Sequence, residues 1–287
     1  MTRPERILIP LDGSSFSERA LRLADGIRGG GAEATLLRVV GSAEEADRAT
    51  DYREGVARAR EGHSARLLVE RAPDPALEIL AEVERGEHDL VVLMTHGQTG
   101  IRRWFRGSVA EHVLRRCPVP LLLGTPSGDR FPSGGVRKVL VPLEGGETTH
   151  EVLQLVAALG LSPEAEVVLF TAVRTAPSDH TLAYVEELTA ASEAAEERLA
   201  GQAAALEWAG QKASWRVEVG FPARAILSAA EQLEVDLIAL ATHGRTGFKR
   251  WLQGSVAEAV ARSSSTPVLL LRAGAGVARS AELSVAS

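Results

Sequence analysis

One string of residues occurs twice in this chain, at an offset of 147 residues, and it constrains the fold more than any other feature. It reads T-H-G-x-T-G-x-x-R-W-x-x-G-S-V-A-E, first over Thr95–Glu111 and again over Thr242–Glu258. Apolar periodicity does not place His, Trp and glycines at matching positions, so the string indicates an internal duplication. Its glycines and its Gly-Ser step are typical of loops and ligand contacts rather than of core packing.

Composition excludes several classes of protein. The length of 287 residues suits two domains, which agrees with the duplication. The net charge is −6 and lysines are scarce, so the chain lacks the basic patch of a nucleic-acid-binding protein. No apolar run approaches the length that spans a bilayer, and no signal-peptide pattern is visible. The single Cys117 excludes an intrachain disulfide. We therefore expect a cytoplasmic protein that binds neither nucleic acid nor membranes.

Strands and helices are predicted to alternate in both halves. The strands are short apolar runs, at Arg6–Leu11, Ala34–Val40, Arg66–Glu70, Asp89–Met94, Val119–Leu123, Lys138–Leu143, Glu166–Val173, Ser214–Val219, Asp236–Ala241 and Val268–Leu271. Helical spacing of apolar residues predicts helices over Ser14–Ile27, Thr148–Leu159 and Thr181–Trp208, with further helices beginning at Pro75 and Pro222 and after Ser108 and Ser255. This alternation predicts βαβ units and a parallel sheet, and therefore an α/β fold in each half.

The composition also suggests where the domains begin and end. Residues 125–136 are rich in Gly, Pro and Ser and are predicted to be a linker. The first domain is then expected over residues 1–124 and the second over residues 137–273. Residues 274–287 are small and polar, which predicts a flexible tail.

The residues that carry chemistry follow the predicted strands. Parallel sheets bind ligands outside the carboxyl ends of their strands, where the strand order reverses. In the first half, strand one is followed by Asp12, whose carboxylate can accept a hydrogen bond from a ribose hydroxyl or hold a cation. Strand four is followed by Gly97, where backbone N–H groups can approach a phosphate. Gly107-Ser108 then begins a helix whose N–H groups favour an anion. Together these residues predict a nucleotide site.

With these residues the chain resembles the universal stress protein family, specifically its tandem two-domain members. The resemblance covers both halves apart from the linker and the tail. The family's nucleotide motif is G-x2-G-x9-G-[S/T] after strand four, with an Asp after strand one. The later part of this motif is intact in both halves, as Gly97-x9-Gly107-Ser108 and Gly244-x9-Gly254-Ser255.

The chain departs from the family's motif at the leading glycine in both halves and at the acid in the second half. The leading glycine is replaced by Met94 in the first half and by Ala241 in the second. We expect methionine to crowd the phosphate path more than alanine does. The acid after strand one is Asp12 in the first half and the longer Glu144 in the second. Neither half is therefore a full match to the motif.

The resemblance implies a fold and a set of contacts. It implies five parallel strands per half in the order 3-2-1-4-5, with the two fifth strands paired across a pseudo-twofold axis. It also implies that ATP, with or without Mg²⁺, lies in the crevice between strands one and four, with the adenine against the backbone of Val39 or Ala172. The residues implied in nucleotide binding are Pro10, Asp12, Val39, Thr95, His96, Gly97, Gly107, Ser108 and Val109 in the first half, and Pro142, Glu144, Ala172, Ala241, Thr242, His243, Gly244, Gly254, Ser255 and Val256 in the second.

Some of these residues have a second interpretation that the sequence leaves open. Asp12 can serve as the cap of the helix that follows it, and the glycines can serve turn geometry alone. For His96 and His243 a structural role is favoured, because no Cys or carboxylate lies at metal-ligand spacing from them. Neither a catalytic residue nor a metal site is therefore predicted.

The favoured function is a stress-response protein that binds an adenine nucleotide and acts as a sensor or regulator through an unidentified protein partner. The alternative is a nucleotide-free interaction module with the same fold. A third hypothesis is an adenylating or pyrophosphatase-type enzyme. No Walker lysine follows the glycine loop, so at most a slow ATPase is predicted. A homodimer, in addition to the pairing of the two halves, is left open.

Overall fold

A computed structural model of the chain describes residues 4–27, 32–41, 65–94, 109–125, 135–144, 147–174, 182–242 and 256–272. These residues divide into two compact units, one over 4–125 and one over 135–272, which we call the first unit and the second unit. Most of the predicted linker and all of the predicted tail lie outside the described residues.

The first unit is a five-stranded parallel sheet with helices between its strands. Its elements in chain order are β1 Arg6–Pro10, α1 Arg19–Ile27, β2 Glu33–Val40, β3 Ala65–Arg71, α2 Pro75–Arg85, β4 Leu90–Met94, α3 Val109–Arg116 and β5 Leu121–Gly124. The strands are ordered β3-β2-β1-β4-β5, and every pair is parallel.

The second unit repeats this arrangement. Its elements are β6 Lys138–Pro142, α4 Glu147–Ala158, β7 Glu166–Val173, α5 Leu182–Trp208, β8 Ala213–Val219, α6 Pro222–Gln232, β9 Leu237–Thr242, α7 Val256–Ser263 and β10 Val268–Arg272. The strands are ordered β8-β7-β6-β9-β10 and are all parallel. The predicted α/β class and the order 3-2-1-4-5 are confirmed in both units. None of the helices in the described ranges is long and apolar enough to cross a membrane.

Burial explains why the central strands were recognisable as apolar runs. Residues 7–9 of β1 and 139–141 of β6 are completely shielded from solvent. A strand of a parallel sheet that carries helices on both faces has no solvent side, so its sequence is continuously apolar rather than alternating.

One predicted boundary is wrong: the helix expected over Ser14–Ile27 begins at Arg19. The preceding residues form a turn that side chains hold together. The Asp12 carboxylate accepts hydrogen bonds from the Ser14 N–H at 2.9 Å and from the Ser14 hydroxyl at 2.6 Å. The Ser14 hydroxyl oxygen in turn accepts one from the Ser17 N–H at 3.1 Å. Short polar side chains compete with the helix for backbone groups, which delays the first helical turn.

A carboxylate links the central strand to its neighbour in each unit. Asp89 immediately precedes β4 and accepts hydrogen bonds from the N–H groups of Glu5, at 2.8 Å, and Arg6. Asp236, at the same position of the repeat, accepts from the N–H groups of Arg137 at 2.8 Å and Lys138 at 3.0 Å. These bonds align the starts of the two strands, and therefore also help to align the carboxyl ends where a ligand would bind.

Removing this carboxylate tests its contribution to stability. We expect Asp236→Ala to lower the free energy of unfolding by about 1–3 kcal/mol, because two backbone N–H groups lose their acceptor. Urea denaturation followed by circular dichroism measures the change. Glu231→Ala, which removes an exposed carboxylate from the end of α6, is the matched control and should change stability by less than about 0.5 kcal/mol. Equal effects of the two substitutions would contradict the assigned role.

A second carboxylate connects β7 with β8. The Ser214 hydroxyl donates a hydrogen bond of 2.7 Å to Glu166, and Lys138 lies 3.5 Å from the other carboxylate oxygen. The Ser214 hydrogen bond, assisted by the charges of Lys138 and Lys212, lowers the pKa of Glu166 although partial burial opposes it. A carboxyl with a lowered pKa in the folded state stabilises the protein above its unfolded pKa, and this contribution is lost as the pH falls through the folded pKa.

Stability should therefore depend on pH through Ser214. We expect Ser214→Ala to raise the pKa of Glu166 and to lower the free energy of unfolding at pH 7 by about 1 kcal/mol. The difference from the wild type should shrink as the pH falls through the folded-state pKa of Glu166, because the carboxyl then becomes protonated in both the folded and the unfolded state. Urea denaturation at several pH values measures it. Ser192→Ala removes a hydroxyl that donates to the Leu188 carbonyl, and its effect should not change with pH.

Candidate functional site

A cavity of about 520 Å³ lies in the second unit, at the carboxyl ends of β6, β7 and β9. β6 lies between β7 and β9, so the chain leaves the sheet on opposite sides at this point. This reversal is where doubly wound sheets bind their ligands. The first turns of α4, α6 and α7 complete the wall. Its size falls within the range of small-molecule pockets.

Five of the residues implied by the resemblance line this cavity: Pro142, Glu144, Ala172, Ala241 and Val256. The backbone of Thr242 ends β9. The other residues implied in the second half lie outside the described residues, namely His243, Gly244, Gly254 and Ser255. The structure thus brings together the strand-end residues, and their contact with a ligand stays a prediction.

The cavity combines apolar walls with a few polar groups. Apolar side chains, among them Phe170, Ile226 and Leu240, form part of its surface. The exposed Glu144 carboxylate and the Arg174 side chain lie on its lining. Such a surface suits a ligand that has a flat apolar part and polar substituents.

Two threonine hydroxyls differ in how they are bonded at the cavity wall. The Thr171 hydroxyl donates to the Leu143 carbonyl at 2.8 Å and lies 3.4 Å from an Arg198 nitrogen that donates to it. Thr149, in the first turn of α4, is 92% buried, and its hydroxyl has no hydrogen-bond partner in the structure as described. A buried polar group without a partner is rare and costly in native proteins. The Thr149 hydroxyl is therefore a candidate contact for a ligand.

The first unit fills the equivalent place with a side chain of its own. Arg38 on β2 corresponds to Thr171 on β7. The residue before each of them, Leu37 or Phe170, accepts a hydrogen bond at its carbonyl from the N–H of the residue that follows β1 or β6. The Arg38 guanidinium lies against Gly13, where an added Cβ would be 2.7 Å from its Cζ. Gly13 also has a φ of +83°, a conformation that glycine adopts without strain. Gly13 is therefore required for the turn and for the close approach of the guanidinium.

The acid of the first unit is committed to this local network. Partial burial alone would raise the pKa of Asp12, but hydrogen bonds from the Ser14 side chain and backbone and from Ser17, together with the Arg38 charge, hold it below its ordinary value. Asp12 is thus an ionised carboxylate that caps the turn before α1. One carboxylate oxygen thus serves the turn through its bonds from Ser14, and contact of Asp12 with a nucleotide stays a prediction.

The remaining residues implied in the first half are divided between described and undescribed parts of the chain. Pro10 ends β1, Val39 is the penultimate residue of β2, and Val109 begins α3. The implied residues of the repeated string that come before α3 lie outside the described residues; they are Thr95, His96, Gly97, Gly107 and Ser108. Within the described ranges, no group of three or more His, Cys, Asp or Glu side chains could hold a metal ion.

Met94, which was expected to crowd the phosphate path, has its side chain in the interior. It is 95% buried, and a Cβ on Gly124 would lie 2.9 Å from its Cε and 3.1 Å from Leu23 of α1. Met94 pairs with Gly124 on β5, whereas Ala241 pairs with Leu271 on β10. In the first unit a large residue on the fourth strand is thus paired with a small residue on the fifth strand. In the second unit the residue on the fourth strand is small and the one on the fifth strand is large.

Sequence reasoning missed Arg38, Thr149, Thr171 and Arg174. A signal for two of them was present in the duplication. Aligning the two halves at the end of the second strand places arginine at position 38 opposite threonine at position 171. This is a change from a long cation to a short hydroxyl beside the predicted site.

Comparisons with known proteins agree with this architecture. Universal stress protein E of Escherichia coli strain K12 is 28% identical over 195 residues, which cover 65% of this chain and 61% of that protein. Universal stress protein Slr1230 of Synechocystis is 26% identical over 189 residues, which cover 66% of this chain and 59% of that protein. The matches thus span about three fifths of the length of these curated relatives.

Solved structures show the same fold over nearly the whole chain. The crystal structure of a universal stress protein from Archaeoglobus fulgidus has a TM-score of 0.69 at 21% identity and covers 94% of this chain and 97% of its own. That of a functionally unknown protein from Pseudomonas aeruginosa PAO1 also has a TM-score of 0.69, at 18% identity, and covers 99% and 98%.

The model of the Universal stress protein family matches the chain twice, over residues 4–123 and residues 135–272. Each match contains one five-stranded unit. Because the two matches cover most of the sequence, the chain belongs to the universal stress protein family and carries two such domains in tandem.

Proposed function

We propose that this chain binds an adenine nucleotide, ATP, in the cavity of the second unit and acts as a cytoplasmic sensor or regulator in a stress response. The observation that carries the proposal is a cavity of about 520 Å³ at the carboxyl ends of β6 and β9. A cavity at this point of a doubly wound sheet is the usual place for a nucleotide.

The residues around the cavity suit the parts of the nucleotide. The adenine ring would lie against the apolar wall beside the backbone of Ala172, and the Glu144 carboxylate would accept a hydrogen bond from a ribose hydroxyl. By the family's motif, the phosphates would meet backbone N–H groups of Gly244 and Gly254, which lie outside the described residues. Among the described lining residues Glu144 is the single carboxylate, so the protein offers few ligands to a metal ion there. Any Mg²⁺ would therefore be held mainly by the phosphates of ATP, and ATP would bind with it or without it.

A sensor fits the chain better than an efficient enzyme does. The repeated string carries no Walker lysine after its glycines, and the described lining of the cavity contains a single carboxylate, Glu144, which the proposal assigns to the ribose, and no histidine. Nucleotide binding would therefore change the surface of the second unit rather than drive rapid hydrolysis. A protein partner that reads this surface would complete the regulatory role.

Ligand-dependent stability tests the proposal. We expect ATP at millimolar concentration to raise the unfolding free energy of the full chain by about 4 kcal/mol if the Kd is micromolar. Differential scanning calorimetry measures the rise in Tm, and mass spectrometry of the denatured protein identifies any nucleotide that co-purifies. A wild-type chain that shows no shift and carries no nucleotide would favour the nucleotide-free interaction module.

A substitution in the cavity shows where the nucleotide binds. We expect Ala172→Phe to abolish the ATP-dependent rise in Tm, because its ring would occupy the place proposed for the adenine, while a strand position accepts an aromatic residue readily. Ala190→Phe adds the same ring to the exposed surface of α5, away from the described lining of the cavity, and should leave the rise unchanged. An unchanged response of Ala172→Phe would place the nucleotide elsewhere.

A further inference from the structure

Because the chain is duplicated, the ends of its two central strands can be compared position by position. We call the place beside the end of β1 the first crevice and the cavity beside the end of β6 the second crevice. The buried residues Ala20, Leu23, Ala24 and Ile27 of the first unit correspond to Val152, Leu155, Val156 and Leu159 of the second, at a constant offset of 132. The same offset places Ser17 opposite Thr149 and Ser14 opposite Gly146. The two crevices therefore share a scaffold and differ in a few polar side chains.

In the first unit the side chains of Asp12, Ser14 and Ser17 bond to one another and to the backbone of their turn. The Ser17 hydroxyl donates to the Ser14 carbonyl at 2.9 Å and accepts from the Asp12 N–H at 3.3 Å. The Asp12 carboxylate accepts from both the N–H and the hydroxyl of Ser14. The Arg38 guanidinium then lies over Gly13, close enough for its charge to lower the pKa of Asp12. A cation of the chain itself therefore covers the end of β1.

In the second unit one of the corresponding groups, the Thr149 hydroxyl, lacks a hydrogen-bond partner. Gly146 replaces Ser14 and supplies no hydroxyl. The Thr149 hydroxyl, the counterpart of Ser17, is buried at the cavity and has no partner among the described residues. Thr171, in the place of Arg38, is short; its hydroxyl donates to the Leu143 carbonyl and accepts from Arg198 of α5, which is not among the described residues that line the cavity. The contrast between a satisfied turn and an unsatisfied hydroxyl at an open cavity points to a ligand in one unit.

We infer that the chain carries a single nucleotide site, in the second unit, and that Arg38 is a built-in occupant that closes the crevice of the first unit. The Thr149 hydroxyl contacts the ligand in the second unit. This inference rests on the proposed function and adds which unit binds, which residue closes the other, and which hydroxyl recognises the ligand.

Reciprocal substitutions at the two equivalent positions test the inference. Equilibrium dialysis of the full chain with ATP gives the number of molecules bound per chain. We expect one for the wild type, two for Arg38→Thr, which opens the first crevice, and none for Thr171→Arg, which closes the second. The double variant should bind one. Arg216→Thr on β8 and Thr189→Arg on α5 make the same exchanges away from both crevices and should bind one.

Each outcome has a distinct meaning. Binding of two ATP molecules by the wild type would overturn the inference and leave the proposed function standing, whereas no binding would overturn the proposed function itself. A value of one for Arg38→Thr would show that Arg38 does not close the first crevice. Circular dichroism checks that Thr171→Arg folds, and where it does not, the wild type and Arg38→Thr decide the question alone.

A separate test addresses the Thr149 hydroxyl. It measures the affinity for ATP and the Tm of the nucleotide-free protein, which a purely structural role of the hydroxyl would not change in opposite directions. We expect Thr149→Val to weaken ATP binding by about fivefold to tenfold, because one hydrogen bond to the ligand is lost. The same substitution should raise the Tm of the nucleotide-free protein, because it removes a buried hydroxyl that has no partner. Thr149→Ser keeps the hydroxyl and should restore the affinity. Unchanged affinity of Thr149→Val would exclude the contact.

Discussion

The hydrogen bonds that Asp89 and Asp236 accept from the backbone at the start of each central strand are the constraint on which the candidate site depends. Parallel strands have no tight turn to set their register, because each is joined to the next by a helix. A carboxylate that accepts from two backbone N–H groups of its neighbour supplies a fixed point. Once the starts of β6 and β9 are aligned, strands of similar length end at the same edge, and the cavity opens between those ends.

The duplication shows how one scaffold supports two different surfaces. Both units keep the parallel sheet, the glycine that follows the central acid, and the buried face of the first helix. They differ at the end of the second strand, where Arg38 stands opposite Thr171, and in the turn before the helix. Neither difference alters the apolar core, so each unit can change its crevice at little cost to its fold. On the proposed function, the difference between the two units lies in a few side chains at the strand ends.

The architecture was predictable because it follows from patterns that are local in sequence. Apolar runs identified the strands, and prolines marked the starts of α2 and α6. The start of α1 was not predictable from helical spacing, because the bonds of Asp12 with Ser14 form only when the chain is already turned. Arg38 was missed for a related reason. Its position over Gly13 depends on the pairing of β1 with β2, which no single stretch of sequence records.

The unsatisfied hydroxyl of Thr149 connects stability with function. A chain selected for stability alone would bond or remove such a group, as the first unit does with Ser17. Binding sites are commonly less stable than they could be, since the groups that meet a ligand are kept free of internal partners. A ligand that bonds to Thr149, as proposed, would therefore stabilise the second unit, whereas the Ser17 hydroxyl, its counterpart in the first unit, already has partners within the protein. If the proposed ligand binds there, its occupancy would change the stability of one domain and leave that of the other constant, which would give a sensor a physical basis.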